Sequence, residues 1–413
     1  MLAEERNQTS AGGTNTGWFE GHDYLYEKHF TPDAAQATQC LVLEFEGVYH
    51  NAEVHLNGEK IAACPYGYSG FYADMTNRIK CCEDNVLEII ARNADQPNSR
   101  WYSGAGIYRP VTLWTAPARH ILPDGVQVRT LGLSPAEVEV TVQTSDAGAV
   151  SIAILDGGRV VATAQAQSDG KAVARVTVPN AKLWSPESPA LYRCRAVFGD
   201  DCAETTFGVR TLSWGDDGLL LNGKRMLLLG ACVHHDHGVL GACCYPEAEE
   251  RKVRLLQKVG YNAVRCAHNP CSKAFLDACD RLGMLVMDEY ADMWYIHKTQ
   301  YDYAGYLPEQ WPQDLAALVR KDYSHPSVIM YSIGNEVAET AQPRGIELTK
   351  QMTEALHHLD GTRPVTCGVN IFFNFLSSMG FGVYSDSKAE KEAKAAAKRA
   401  AAGKAAPKKK AVG

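Results

Sequence analysis

The chain has 413 residues, 46% of them hydrophobic and 22% charged, a balance ordinary for a globular protein of two or three domains. No apolar stretch approaches the roughly eighteen residues needed to span a bilayer, and the acidic, polar start Met1-Leu2-Ala3-Glu4-Glu5-Arg6 lacks the character of an export signal. The net charge of −7 is uneven, with +7 from Ser387 onward and −14 on the rest. Such an acidic body argues against a nucleic-acid surface and leaves a sugar substrate open.

Residues 1–117 read as all-β. Leu41 to Val48 alternates loosely, whereas Ala52-Glu53-Val54-His55-Leu56-Asn57-Gly58-Glu59-Lys60 reads as strand, Asn-Gly turn, strand. Val86 to Asn93 and Arg109 to Trp114 are further strands. Short strands separated by turn residues point to a β-sandwich. Residues 118–212 form a second β unit, from Val126-Gln127-Val128-Arg129 through Val138 to Val142 and Val150 to Leu155. The turn Asp156-Gly157-Gly158, Ala172 to Val178 and Tyr192 to Phe198 follow. The expected fold is a seven-strand, immunoglobulin-like sandwich serving as spacer or scaffold.

From residue 213 the pattern becomes strand, helix, repeated. Met226–Leu229 is expected as strand one and Pro246–Val259 as an amphipathic helix with Leu255, Leu256 and Val259 on its apolar face. Asn262 to His268 is strand two, Ser272 to Leu282 helix two and Met284 to Glu289 strand three. Pro308 to Tyr323 is helix three, Val328 to Glu336 strand four, Pro343 to Leu359 helix four and Pro364 to Gly368 strand five. Such alternation implies a parallel sheet with helical crossovers, closing naturally as a (β/α)8 TIM barrel, yet residues 213–385 offer only strands one to five. Residues 386–413 are a Lys/Ala-rich tail with helix propensity but no apolar face. They read as a solvated helix or disordered insertion, with an arm for nucleic acid or an anionic surface as the second reading. The thirteen cysteines match no disulfide framework or zinc pattern, and free thiols in a reducing, cytoplasmic setting are expected.

Strand four carries the chemistry. Val328-Ile329-Met330-Tyr331-Ser332-Ile333 is apolar enough to be buried on both faces and stops at Gly334-Asn335-Glu336. A carboxylate at the C-terminal end of a barrel strand lies where such folds keep their active sites. Together with Asp322-Tyr323-Ser324-His325-Pro326-Ser327 just before it, this run resembles the acid/base signature of glycoside hydrolase family 2, the β-galactosidases and β-glucuronidases. Asn262-Ala263-Val264-Arg265-Cys266-Ala267-His268-Asn269-Pro270 resembles the family's second signature. A Val-x-Leu-Asn-Gly hairpin and the Trp101–Pro110 segment resemble its opening sugar-binding jelly roll.

The resemblance implies a retaining exo-β-glycosidase acting on terminal β-linked sugars, galactosides ahead of glucuronides. Family β-galactosidases that bind magnesium use a Glu and a His soon after the counterpart of Asp288-Glu289; the spacing here does not reproduce that pair, so no essential metal and no cofactor are expected. A non-catalytic carbohydrate-binding fragment is the alternative from another class, and a homo-oligomer is compatible with the sequence. Glu336 takes the acid/base role and Asn335 the hydrogen bond to the sugar 2-hydroxyl. Arg265 is expected on the nucleophile carboxylate, and His234 and His268 as donors to sugar hydroxyls. Asp95 either reaches in from the first domain or is a solvated loop residue. Tyr290, Trp294 and Tyr295, after the Asp288-Glu289 pair that supports the site floor, either stack on the sugar or pack in core and loop. His235-x-His237 could pair on a metal only with ligands from later strands, which are not found. The family's nucleophile, a Glu closing strand seven, has no counterpart. Glu339, Glu347, Glu354, Glu390 and Glu392 all lie off strand ends. Family members usually start with another strand before the position of Met1, so the chain is expected to begin inside its first domain. Without the nucleophile it is expected to be a fragment with little or no turnover by itself.

Overall fold

A computed structural model describes residues 6–379. The lysine-rich segment 386–413 lies outside the described residues. The first unit packs two antiparallel sheets. One runs in the order Asp23–Phe30, Asn85–Arg92, Ala52–Leu56, Glu59–Cys64, and the other Phe71–Asp74, Cys40–Phe45, Val111–Ala116. Asn57 and Gly58 both take positive φ, +52° and +84°, as the two-residue turn between the paired strands requires. Cys40–Phe45 is buried on both faces, which is why its sequence alternates so weakly.

The second unit is immunoglobulin-like, but it is built from fewer, longer strands than the sequence suggests. Val138–Val142 and Val150–Leu155 are the two halves of one 21-residue strand, Ala136–Asp156, paired along its length with Arg159–Thr177. A register break between Gln143 and Ala147 divides this pair. Val138, Val140 and Val142 from one half and Val150, Ile152 and Ile154 from the other enter a single core. The turn residues between them bend a strand instead of ending it.

The third unit is part of a barrel. Five parallel strands lie side by side in chain order: β1 (Gly230–Val233), β2 (Ala263–Cys266), β3 (Leu285–Glu289), β4 (Val328–Asn335) and β5 (Val365–Gly368). Helices α1 (Pro246–Lys258), α2 (Lys273–Leu282), α3 (Leu307–Asp322) and α4 (Pro343–Leu359) make the crossovers, and α5 (Ile371–Ser378) follows. Ser272 caps α2, its hydroxyl accepting from the Phe275 N–H at 3.1 Å. Strand one falls four residues later than expected. Leu227, Leu228 and Leu229 are exposed at 67%, 40% and 60%, because among the described residues nothing pairs with the outer side of β1. The apolar face of α1 is likewise only half used: Val253 is fully buried, whereas Leu255 and Val259 face outward. No helix among the described residues is long and apolar enough to cross a membrane.

Candidate active site

Glu336 follows directly on the C-terminal end of β4, on the same side of the sheet as the residues that follow β1, β2, β3 and β5. Gly334 precedes it because a β-carbon there would come within 2.9 Å of Trp294 Nε1, which donates to the Ile333 carbonyl at 2.8 Å. Glu336 takes a left-handed φ of +47°, rare for a residue with a side chain. That turn swings its half-buried carboxylate off the strand. Its two oxygens accept from Arg100 Nη1 at 3.3 Å and Asn370 Nδ2 at 3.1 Å.

Asn335 is held from three sides. Its side-chain oxygen accepts from Arg265 Nη2 at 3.1 Å, its amide donates to Asp292 Oδ1 at 2.8 Å, and the Lys298 ammonium donates to its carbonyl. Asp292 is the hub of this network. It is buried, accepts from Arg100 Nε at 3.0 Å and from Lys298 at 3.0 Å. Burial raises its pKa, but the charges of Lys298 and Arg100 and the bond from Asn335 outweigh that and hold it below the ordinary carboxylate range.

Among the described residues the carboxylate that Arg265 meets is Glu289. Arg265 Nε donates to Glu289 at 2.8 Å, and Glu289 is fully buried, held also by Ser332 Oγ at 2.6 Å and by the His268 ring. The arginine is thus committed to the floor of the site, and no free carboxylate meets it among the described residues. The opposite ring contacts of His268 are with Trp101, 5.3 Å between centroids, and His234, 5.7 Å. His234 lies 5.0 Å from Trp101. Burial, with the charge of His268 added, lowers the His234 pKa, which favours the neutral ring.

The expected platform residues are not at hand for stacking. Trp294 is fully buried with its indole N–H bonded to β4, and Tyr290 is buried with its hydroxyl on Asp314. Tyr295 is half-buried, its hydroxyl on Gln342 and its face covered by the Arg344 guanidinium at 4.2 Å. Core packing and a cation over the ring have taken the faces a sugar would need. Asp95 does not reach the site either. It is exposed, and only its backbone carbonyl makes a contact, from Asn98. The first domain's reach comes five residues later, through Arg100 and Trp101. The sequence signal was the start of the Trp101–Pro110 segment, drawn one residue too late to include Arg100.

Metal ligation has little support near Glu336. His235 donates from Nε2 to the Asn269 carbonyl at 3.2 Å, and its pKa is pushed down to about 3 by burial and by Arg109 and Lys252, whereas His237 lies 3.3 Å from Glu249. The two rings have different partners, and among the described residues no third metal ligand joins them. Elsewhere, Cys266, Cys271 and Asp288 converge, but Lys321 already bonds Asp288 at 2.8 Å.

Three family models match in succession: the Glycosyl hydrolase 2 galactose-binding domain-like model over residues 8–116, Glycosyl hydrolases family 2 over 125–210, and the family 2 TIM barrel domain over 214–409. The last runs on to residue 409, into the segment read from the sequence as a Lys/Ala-rich tail. A β-galactosidase of Bacteroides ovatus is 36% identical over 88% of this chain and 49% of its own length. A putative β-glucuronidase of Formosa agariphila is 32% identical over 86% and 35%. A solved family 2 member from Bacteroides cellulosilyticus superposes with a TM-score of 0.85 at 35% identity, covering 91% of this chain and 52% of that one. The chain spans about half the length, or less, of these relatives. With two β-sandwiches leading into parallel strands that present Asn335-Glu336, and with all three family models matching in order, this chain belongs to glycoside hydrolase family 2.

Proposed function

We propose that this chain carries the acid/base half of a retaining exo-β-glycosidase site, acting on terminal β-galactosides ahead of β-glucuronides. The observation that carries the reading is Glu336 at the mouth of β4, with Trp101, His234 and His268 grouped at the same end of the sheet. In this role Glu336 protonates the departing glycosidic oxygen and later takes a proton from water. Trp101, with the Arg100 guanidinium 5.3 Å over its ring, walls the sugar space on the side of the first domain, and His234 and His268 offer the hydroxyl contacts. The preference for galactosides leans on the identity to the Bacteroides ovatus β-galactosidase, with glucuronidases close behind.

Retention needs a second carboxylate about 5–5.5 Å from the first. Among the described residues the nearby acids are engaged: Glu289 by Arg265 and His268, Asp292 by Arg100 and Lys298, Glu339 by the Tyr295 and Ile296 amides. We therefore assign the nucleophile to residues outside these and expect little or no turnover from the 413-residue chain alone. The test is hydrolysis of nitrophenyl β-galactoside and β-glucuronide by this chain and by a form carrying three further strand–helix units. Activity confined to the extended form, lost by at least about a thousandfold in Glu336→Gln, supports the reading. Turnover by the short chain that disappears in Glu336→Gln refutes the missing-carboxylate argument, and sugar binding without turnover by either form favours a binding module.

A further inference from the structure

At the opposite end of β4 from Glu336, a cleft of about 220 Å3 lies between the second domain and the barrel. Eight residues of strand separate the two ends, roughly 25 Å. Arg129, Arg210, His325 and Arg363 line it, and among the described residues no Asp or Glu does. Three of the four cations already have a carboxylate. Arg129 Nε donates to Glu139 at 2.8 Å, the His325 ring meets Asp280 at 2.6 Å, and Arg363 pairs with Asp360.

Arg210 differs. It is more than nine-tenths buried, yet its guanidinium meets only backbone oxygens, from Nε to Pro326 at 3.0 Å and from Nη2 to Val328 at 2.7 Å. Among the described residues no carboxylate pairs with it. A buried guanidinium bonded only to carbonyl oxygens is costly and a second one beside it adds to the cost, which the charges of Asp360 and Asp280 offset in part. Burial and the Arg363 charge lower Arg210 to about 9. The lining itself therefore offers cationic donor groups and room, with the neighbouring carboxylates set behind it and already paired.

We propose that this cleft binds a small tetrahedral oxyanion of the phosphate or sulfate type, with Arg210 as the buried anchor and Arg129 at the rim. Arginine presents paired N–H donors in the geometry such anions accept. Trp214, 48% exposed at the edge, adds an apolar surface where an ester of the anion could lie. The site is independent of the glycosidase reading, since it uses none of the residues at the other end of the strand.

Calorimetric titration of the 413-residue chain at constant ionic strength tests it, with inorganic phosphate, sulfate and glucose 6-phosphate as probes and chloride as control. Saturable binding of one phosphate or sulfate per chain is expected, weakened about tenfold in Arg129→Gln and lost in Trp214→Glu, which plants a carboxylate at the rim. Tighter binding of glucose 6-phosphate than of inorganic phosphate identifies an ester as the occupant, and equal or weaker binding the free anion. Arg210→Met removes two bonds to the barrel backbone and so threatens folding, which is why the rim variants carry the test. Absence of saturable heat, equal heat with chloride, or binding unchanged in both rim variants overturns the proposal.

Discussion

Arg265 and Glu289 show what a single ion pair contributes when one partner is sealed from water. Glu289 has no exposure, and Arg265, His268 and Ser332 are its hydrogen-bonding partners. Arg265→Met leaves that carboxylate buried without its main counter-charge. We expect a loss of about 3–5 kcal/mol in urea unfolding; a change below about 1 kcal/mol would show that the pair is dispensable to the floor of the site. Glu249 makes a pH prediction. Burial raises its pKa, but the His237 bond and the charges of Lys252 and His237 outweigh it and bring the group to about 2. A folded pKa below the unfolded one stabilises at pH values above the unfolded value, about 4.3. That contribution fades as pH drops from there towards 2. Stability measured from pH 6 to 2.5 should fall less steeply in Glu249→Gln than in the parent, the difference being on the order of 2 kcal/mol.

Among the elements, the strands at the two sides of the parallel sheet behave unlike the three between them. β2, β3 and β4 have neighbours on both sides and bury Val264, Val286, Val328 and Ile333. Beside β1 and β5, Leu227, Leu229, Ile371, Phe372 and Phe375 are more than half exposed. Each such side chain forgoes about 1.5–3 kcal/mol that burial would supply, and an open strand edge invites pairing with another chain. The 413-residue chain should therefore self-associate as its concentration rises. Leu229→Lys combined with Phe372→Lys should return it to monomer in sedimentation velocity runs. Association unchanged in that double variant would place the sticky surface elsewhere.

For the whole molecule, the first domain is a working wall of the barrel. Arg109, buried, donates to Tyr68 in its own domain at 3.1 Å and across to the Pro270 carbonyl at 2.7 Å, and Tyr66 reaches Asn269 at 2.7 Å. Arg100 makes the same crossing to Asp292 and Glu336. Arg109→Met, which removes the bond to Pro270, should free the first domain. Protease cleavage near residue 117 should accelerate severalfold while the barrel remains intact; unchanged cleavage would mean that the tyrosine contacts suffice.

Much of this architecture could be read in the residues themselves, because period and punctuation are local. The Asn57-Gly58 turn, α4 at Pro343–Leu359 and β4 from Val328 each fall where side-chain spacing and turn residues put them. Long motifs likewise exposed the family and singled out Glu336. Tertiary structure alone decided the rest. Apolar character brought Trp294 and Tyr290 into the core, since a sequence lists aromatic rings without saying which faces are already covered. The same holds for Arg265 on Glu289 and for Arg100 and Trp101 in place of Asp95, since pairings across 24 to 236 positions depend on where the chain folds back. Spacing along a chain fixes what each segment can become; which charges and faces meet is fixed only when distant segments close on one another.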